Sequence, residues 1–414
     1  MKTDVLIIGG GVIGLVSALE LLEAGYSVRI LERTRLGAGA SEGNCGLITP
    51  SHALPLTRPG TIGRALASML SSSSPLYFRP RLDAALFAWG LQFSRNCNRP
   101  AMLRTMFARS EMLSRSRELY NDLIEKHELA CEWEERGLLM AFATEKALAK
   151  ELEADAELGA LGIETRHLSA EELCEHEPAM RDDLAGAVLF PEDAHLRPNL
   201  LLKELERVVR EKGAVIDEKQ EVTGFCIELG RVTHVQTENG LRAAKRFLIA
   251  TGAWSPALAK TLRMHLPIQP GKGYSITMPR PEVCPTTPLI LGEPSMAVTP
   301  WASGLRLGGT MEFAGYDEKL RAKRLDALIT GAGRFLRSDL LGGTKERWCG
   351  WRPMTPNELP IIDRAPDLEN LYVAAGHGMM GVSMAPATAQ LVRHLIDGED
   401  VGLDADPYRI PGTR

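Results

Sequence analysis

The turn between Ile7 and Ser17 (IIGGGVIGLVS) constrains this chain more than any other stretch, because it joins an apolar strand to a helix through Gly9, Gly11 and Gly14. Gly9 permits a tight turn, Gly11 lets the backbone approach a pyrophosphate, and Gly14 allows close packing of helix on strand. The apolar run Val5–Ile8 precedes the turn, and the pattern Val12–Ala24 predicts a helix that stops at Gly25. Val12 and Ile13 open that helix, where free N–H groups receive a diphosphate. A second strand, Ser27–Leu31, ends in Glu32. A carboxylate there, about twenty residues beyond the glycines, suits an adenosine ribose. Strand, helix and acid together specify a dinucleotide-binding unit at the start of the chain.

The 414 residues, 44% hydrophobic and 24% charged, are enough for two domains with a substantial core. A formal net charge of -5 gives no basic field for nucleic acid. The seven cysteines are odd in number and never spaced CxxC, which argues against a disulfide framework, a zinc site or an iron–sulfur cluster held by this chain. A reducing cytoplasm is the expected compartment, and no segment has the unbroken apolar length of a membrane span. The stretch Thr61–Phe93, with Leu66, Met69, Leu70, Leu76, Phe78, Leu86, Phe87, Trp89 and Phe93 among few acids, reads as helices packed on the rest, with peripheral contact on the inner face of a membrane as the other reading.

Periodicity predicts helices over Arg104–His127, Glu145–Gly159 and Arg197–Lys212. Strands are expected at Leu138–Ala143, Val188–Phe190, Gln220–Leu229, Arg231–Thr237, Arg246–Ala250, Tyr274–Met278 and Leu305–Gly309, with 220–237 as a hairpin, Glu238-Asn239-Gly240 as a turn and Ser71–Ser74 as a loop cap. Phe247–Ser255 and Leu371–Ile396 each run from an apolar strand into glycine, as pieces of the first domain returning would. The expected division is 1–60, 185–255 and 345–400 for a discontinuous cofactor domain, 61–184 and 256–344 for a substrate domain, and 401–414 as a tail.

Four further segments accompany the opening turn: Ala40–Pro50 (ASEGNCGLITP), Ala250–Ser255 (ATGAWS), Gly350–Asp363 (GWRPMTPNELPIID) and Ala374–Thr388 (AAGHGMMGVSMAPAT). With these five motifs in order, from Asp4 to about Gly398, the chain resembles the D-amino-acid oxidase superfamily of FAD-dependent oxidoreductases, above all its bacterial D-amino-acid dehydrogenase branch (small-subunit type). The resemblance implies an α/β plus α+β fold: a split FAD-binding domain of glutathione-reductase type, with an inserted substrate domain on a mixed, largely antiparallel sheet. It implies non-covalent FAD, with Gly9, Gly11 and Gly14 at the diphosphate and Glu32 with Arg33 at the adenosine. Ala40 and Ser41 would touch the diphosphate, Asn44, Cys45, Gly46 and Leu47 pass beside the flavin, and Val222 meet the adenine. Gly252 and Trp254 would close on the cofactor. Gly376, His377, Gly378, Met379, Met380 and Gly381 would bring a helix N-terminus to the flavin pyrimidine, with His377 offering a hydrogen bond.

For the substrate, the resemblance places Arg352 on an amino-acid carboxylate, with Tyr274, His52 and Met379 lining the pocket. Alanine stands at position 40 where relatives often carry threonine, and Met379 where glycine-oxidase-like relatives can carry a second arginine. The activity implied is oxidative deamination of a D-amino acid by hydride transfer from Cα to flavin N5, giving an imine and then a 2-oxo acid, with no catalytic acid or base required. Electrons would pass to quinone or another acceptor such as an artificial dye. The alternatives are a dehydrogenase for cyclic D-imino acids (D-proline or hydroxy-D-proline) and the flavin subunit of a hetero-oligomeric dehydrogenase; a homo-oligomer is equally compatible with the sequence.

Overall fold

The computed structural model describes residues 3–63, 76–79, 81–153, 155–340, 343 and 345–412. Leu66, Met69, Leu70 and Ser71–Ser74 lie outside these described residues. Two large sheets organise the chain. The first has six strands in the order Ile361–Arg364, Leu371–Ala375, Arg246–Ile249, Val5–Ile8, Val28–Leu31, Val215–Asp217, all neighbours parallel except the first pair. Its central strands Val5–Ile8 and Leu371–Ala375 are buried throughout, as a parallel sheet covered on both faces requires. The helices Val12–Glu23, Pro198–Glu211 and Gly381–Asp397 cover one face, and Arg99–His127 packs over them. A three-stranded antiparallel sheet (Val222–Glu228, Arg231–Thr237, Gly240–Ala243) and the short helix Ser255–Lys260 cover the other.

The second sheet has nine strands. Its path runs Glu346–Met354, Gln269–Met278, Gly304–Phe313, Met296–Trp301, Leu289–Leu291, Leu138–Phe142, Gly186–Phe190, Arg166–Ser169, with Leu76–Phe78 also paired to Gly304–Phe313. Most neighbours are antiparallel. Gly186–Phe190 and Glu346–Met354 were expected in the cofactor domain, yet both pair within this sheet. The chain leaves the second sheet only after Met354, so Arg352 stands on a strand of the second sheet while the loop after Ala375 belongs to the first.

Local chemistry accounts for shifted boundaries. The helix expected from Arg104 starts at Arg99, because the Asn98 side chain accepts the Ala101 N–H and Pro100 occupies the first turn. Expected helix 145–159 divides into Glu145–Leu152 and Asp155–Gly159. Of the apolar 61–93 stretch, Trp89 and Phe93 turn inward with Phe78 onto Met311, Phe313 and Met354, and the Trp89 indole donates to the Met354 carbonyl; Leu82, Phe87 and Leu91 are exposed.

The helix Gly381–Asp397 contains Pro386, which has no N–H for the Val382 carbonyl four residues earlier. Tyr120 fills the gap: its buried hydroxyl donates to the Val382 oxygen at 2.6 Å, and the Ala387 N–H goes to Ser116 Oγ at 3.1 Å. The long helix thus satisfies groups next to Pro386 and ties down the first turn, 381–384. Tyr120→Phe leaves a buried carbonyl unpaired, and the expected cost is about 1–3 kcal/mol, read as a lower midpoint in urea, with weaker FAD retention as a second readout.

Candidate active site

The two sheets meet at a cavity of about 1490 Å³, lined from Gly9, Glu32 and Val222 at one end to Arg352, His377 and Met379 at the other. At the first end the opening turn is built as its spacing requires. Gly9 has φ 107°, and a Cβ on it would lie 2.6 Å from the Ala250 oxygen; a Cβ on Gly14 would lie 2.0 Å from the Gly9 oxygen. A Cβ on Gly11 would meet only Ser41 Oγ, at 3.4 Å, so its glycine is needed for what enters the cavity. The following helix has neither a side-chain N-cap nor an acid in its first turn. Ser41 Oγ accepts the Val12 N–H at 3.1 Å, and Ala40 lines the wall beside it. Glu32 lines the cavity while accepting from the Gly10 N–H at 2.8 Å and from Thr34. The Arg33 guanidinium lies 4.6 Å from the centroid of Trp254, which stacks on Tyr316 and meets Trp351 edge-on. Gly252 and Trp254 both line the wall here.

Asn44, Cys45 and Leu47 line the middle of the cavity. Arg306, buried on the second sheet and not singled out by sequence, holds their loop by donating to the carbonyls of Glu42 (2.9 Å) and Asn44 (2.6 Å). The Ser383 hydroxyl donates to the Leu47 oxygen at 2.6 Å, tying that loop to the last helix. Opposite runs a cross-strand row in register: Trp348, Ser275, Gly308, Ala297, Ile290 and Met140. A Cβ on Gly308 would lie 2.2 Å from Cys45 Sγ, so the small centre of the row makes room for the loop. Burial raises the Cys45 thiol pKa.

At the far end, Arg352 Nη1 donates to the Thr310 carbonyl at 2.6 Å. Thr310 has φ 67°, a conformation β-branched residues rarely adopt, in a strand whose pairing slips nearby. Burial lowers the Arg352 pKa and no carboxylate pairs with it among the described residues. A cation enclosed without a counter-charge is a site for an anion. Met379 and Gly378 line the wall near it, and the Gly378 N–H donates to the Pro353 oxygen at 3.0 Å, so the loop and the arginine strand are one unit.

Several expected residues occupy other roles. Gly14, Gly46 and Gly376 lie behind the cavity wall, where a Cβ would meet the Gly9 oxygen, the Leu196 oxygen (1.9 Å) and Thr355 Cγ2 (2.6 Å) respectively; they shape the site by close packing. Tyr274 is a correction: it borders the cavity, but its side chain packs on the other face of the sheet with Ile276, Leu325 and Leu328, and its hydroxyl donates to buried Glu312 at 2.9 Å, so it does not close over a substrate. His377 is a correction. Its Nε2 lies 3.0 Å from Thr388 Oγ1, and that hydroxyl already donates to the Met384 oxygen, so Nε2 must be the donor. Burial pushes the ring pKa down to about 3, and the neutral ring then has only a lone pair at Nδ1. The hydrogen-bond donors at this end of the cavity are therefore backbone N–H groups of the helix starting at Gly381, which has no side-chain cap and no acid in its first turn. Met380, Gly381, Val382 and Ser383 all line the cavity. His52 also lines it and is held from behind by Ser51 and Asp193.

The profile of the DAO family, described as FAD-dependent oxidoreductase, matches residues 4–395. Two curated relatives named D-amino acid dehydrogenase, from Cereibacter sphaeroides and Helicobacter pylori, are 32% and 30% identical, over 99% and 95% of this chain and 96% and 95% of theirs. The crystal structure of glycine oxidase from Geobacillus kaustophilus superposes with a TM-score of 0.81 at 23% identity, covering all of both chains. Two helix starts whose N-cap residues make no side-chain cap bond and whose first turns hold no acid, a glycine turn open toward the cavity and a match over nearly the whole length agree: the chain belongs to the DAO family of FAD-dependent oxidoreductases.

Proposed function

We propose that the protein oxidises the Cα–N bond of D-amino acids, giving an imine that water converts to a 2-oxo acid. The observation that carries this reading is Arg352, an enclosed guanidinium with no acidic partner among the described residues, at the end of the FAD cavity where the last helix begins. Gly11, Ser41 and the first turn of Val12–Glu23 would hold the FAD diphosphate, Glu32 the ribose, and the first turn of Gly381–Asp397 the pyrimidine edge of the flavin. When bound, FAD supplies the two-electron acceptor.

Arg352 binds the substrate carboxylate bidentately and fixes the direction of Cα. Thr310 and Gly273 fix Arg352: the Thr310 carbonyl takes one Nη1 proton, and a Cβ on Gly273 would fall 2.2–2.4 Å from the guanidinium. Met140, Ile290, Leu54 and Met311 supply apolar wall for a side chain and exclude water. That wall, with Met379, also suits the ring of a D-proline, and cyclic D-imino acids are the second reading. We place electron delivery to quinone or a dye at an external surface; the exposed Leu82, Phe87 and Leu91 support contact with a quinone-bearing membrane. Among the described residues no helix is long and apolar enough to cross one.

A dye-linked assay with 2-oxo acid detection tests the reading: D-enantiomers are expected to reduce the dye and release oxo acid while L-enantiomers do not, and equal rates with both contradict it. Gly273→Ala is expected to fold and retain FAD, since only the tip of a flexible side chain must move, but to raise KM about tenfold or more by displacing Arg352.

A further inference from the structure

A D-amino acid enters as an ammonium, whose nitrogen has no lone pair to assist departure of the Cα hydrogen, so one proton must leave first. The cavity wall contains a path for it. Ser51 and Asp193 are buried, and the Ser51 hydroxyl donates to Asp193 Oδ2 at 2.5 Å while the Ser51 N–H donates to Oδ1 at 3.2 Å. With Asp193 ionised, the hydroxyl gives its one proton to the carboxylate, so the contact between His52 Nδ1 and Ser51 Oγ, 3.2 Å, is donated by Nδ1–H in that state. That leaves a lone pair on Nε2, on a residue that lines the cavity.

We propose that His52, Ser51 and Asp193 form a relay that removes the substrate's ammonium proton and stores it on Asp193. Resting on the D-amino-acid reading above, the step balances within these groups. The ammonium proton goes to Nε2, Nδ1–H passes its proton to Ser51 Oγ, and the Ser51 proton passes to Asp193 Oδ2. The imidazole changes tautomer and stays neutral, so the low ring pKa does not obstruct transfer; burial together with Arg109 and Arg58 sets it at about 4. Burial pushes Asp193 up to about 7, opposed by the Ser51 hydrogen bonds and by Arg117 from the long helix, with Glu192 acting upward. Behind His52, Arg109 donates to its carbonyl at 2.8 Å and faces the buried Glu358. His52 contacts substrate; Ser51 and Asp193 act through it.

The test is the pH dependence of kcat/KM for Asp193→Asn, Ser51→Ala and Ser51→Thr holoenzymes, with carboxyl infrared titration of the same proteins. In the wild type Asp193 must be ionised to accept the proton, so kcat/KM is expected to fall below about pH 7 and to level off above it. Without the relay the amine deprotonates only in solution. D193N and S51A are therefore expected to be slowed tenfold or more at pH 7, to keep rising toward the ammonium pKa of the substrate, and to approach wild-type rates there; S51T, keeping the hydroxyl, restores the plateau. The infrared titration is expected to show an acid band with a midpoint near pH 7 in wild type and S51T, absent from D193N. A plateau retained in D193N and S51A, a loss equal at every pH, or no such band overturns the relay while leaving the enzyme reading intact. A wild type that no D-amino acid reduces overturns both.

Discussion

Arg352→Ala is expected to lower kcat/KM for D-amino acids roughly a thousandfold while the protein folds and holds FAD normally. Removing one partner of an enclosed, hydrogen-bonded charge pair costs about 2–5 kcal/mol, much of it the stranding of the other charge. In the proposed complex the stranded charge is the substrate carboxylate, facing a wall of Met140, Ile290 and Met311. Arg352→Lys is expected to recover only part of the loss, because an ammonium offers a point charge where the guanidinium offers a planar fork. Steady-state kinetics against a D-amino acid check both, with the flavin absorbance as the control for folding. Retention of wild-type kcat/KM in the alanine variant would place the carboxylate elsewhere.

Gly14→Ala is expected to yield protein without bound flavin. The added Cβ would lie 2.0 Å from the Gly9 oxygen, and both partners are backbone, so helix and strand must separate and the turn that carries Gly11 moves with them. Gly11→Ala makes the contrasting case. Its Cβ meets only a hydroxyl at 3.4 Å, so the chain folds unchanged and the methyl opposes the diphosphate alone. Weakening of FAD binding on the order of a hundredfold is expected for both, with a fall in apoprotein stability confined to Gly14→Ala. Fluorescence titration with FAD and denaturation of the apoproteins separate the two effects.

The opening turn was legible because each glycine answers a separate steric demand, and those demands are local in sequence. Arg352 and the loop 376–381 were legible through their flanking motifs and the resemblance they carry. What escaped is what depends on register. Gln269–Met278 hides five early strand residues behind Pro270, Gly271 and Gly273, which disfavour strands individually yet clear space for Arg352 and Met311. Glu346–Met354 escaped for a related reason, since its alternation of Trp348, Gly350 and Arg352 faces a cavity and lacks an apolar stripe. Arg306 and Asp193 act on loops 262 and 142 residues away in sequence, and nothing near them signals it. His377 lines the cavity from the expected loop, but its donor direction depends on Thr388 one helical stretch later.

Anaerobic reduction of the purified holoenzyme, following the visible flavin band as D- and L-enantiomers of proline, alanine and phenylalanine are added singly, with Arg352→Ala alongside, tests whether D-amino acids are the electron donors. Bleaching by D-enantiomers alone is expected, with none in the variant. Bleaching by L-enantiomers, or unchanged bleaching without Arg352, would contradict that expectation.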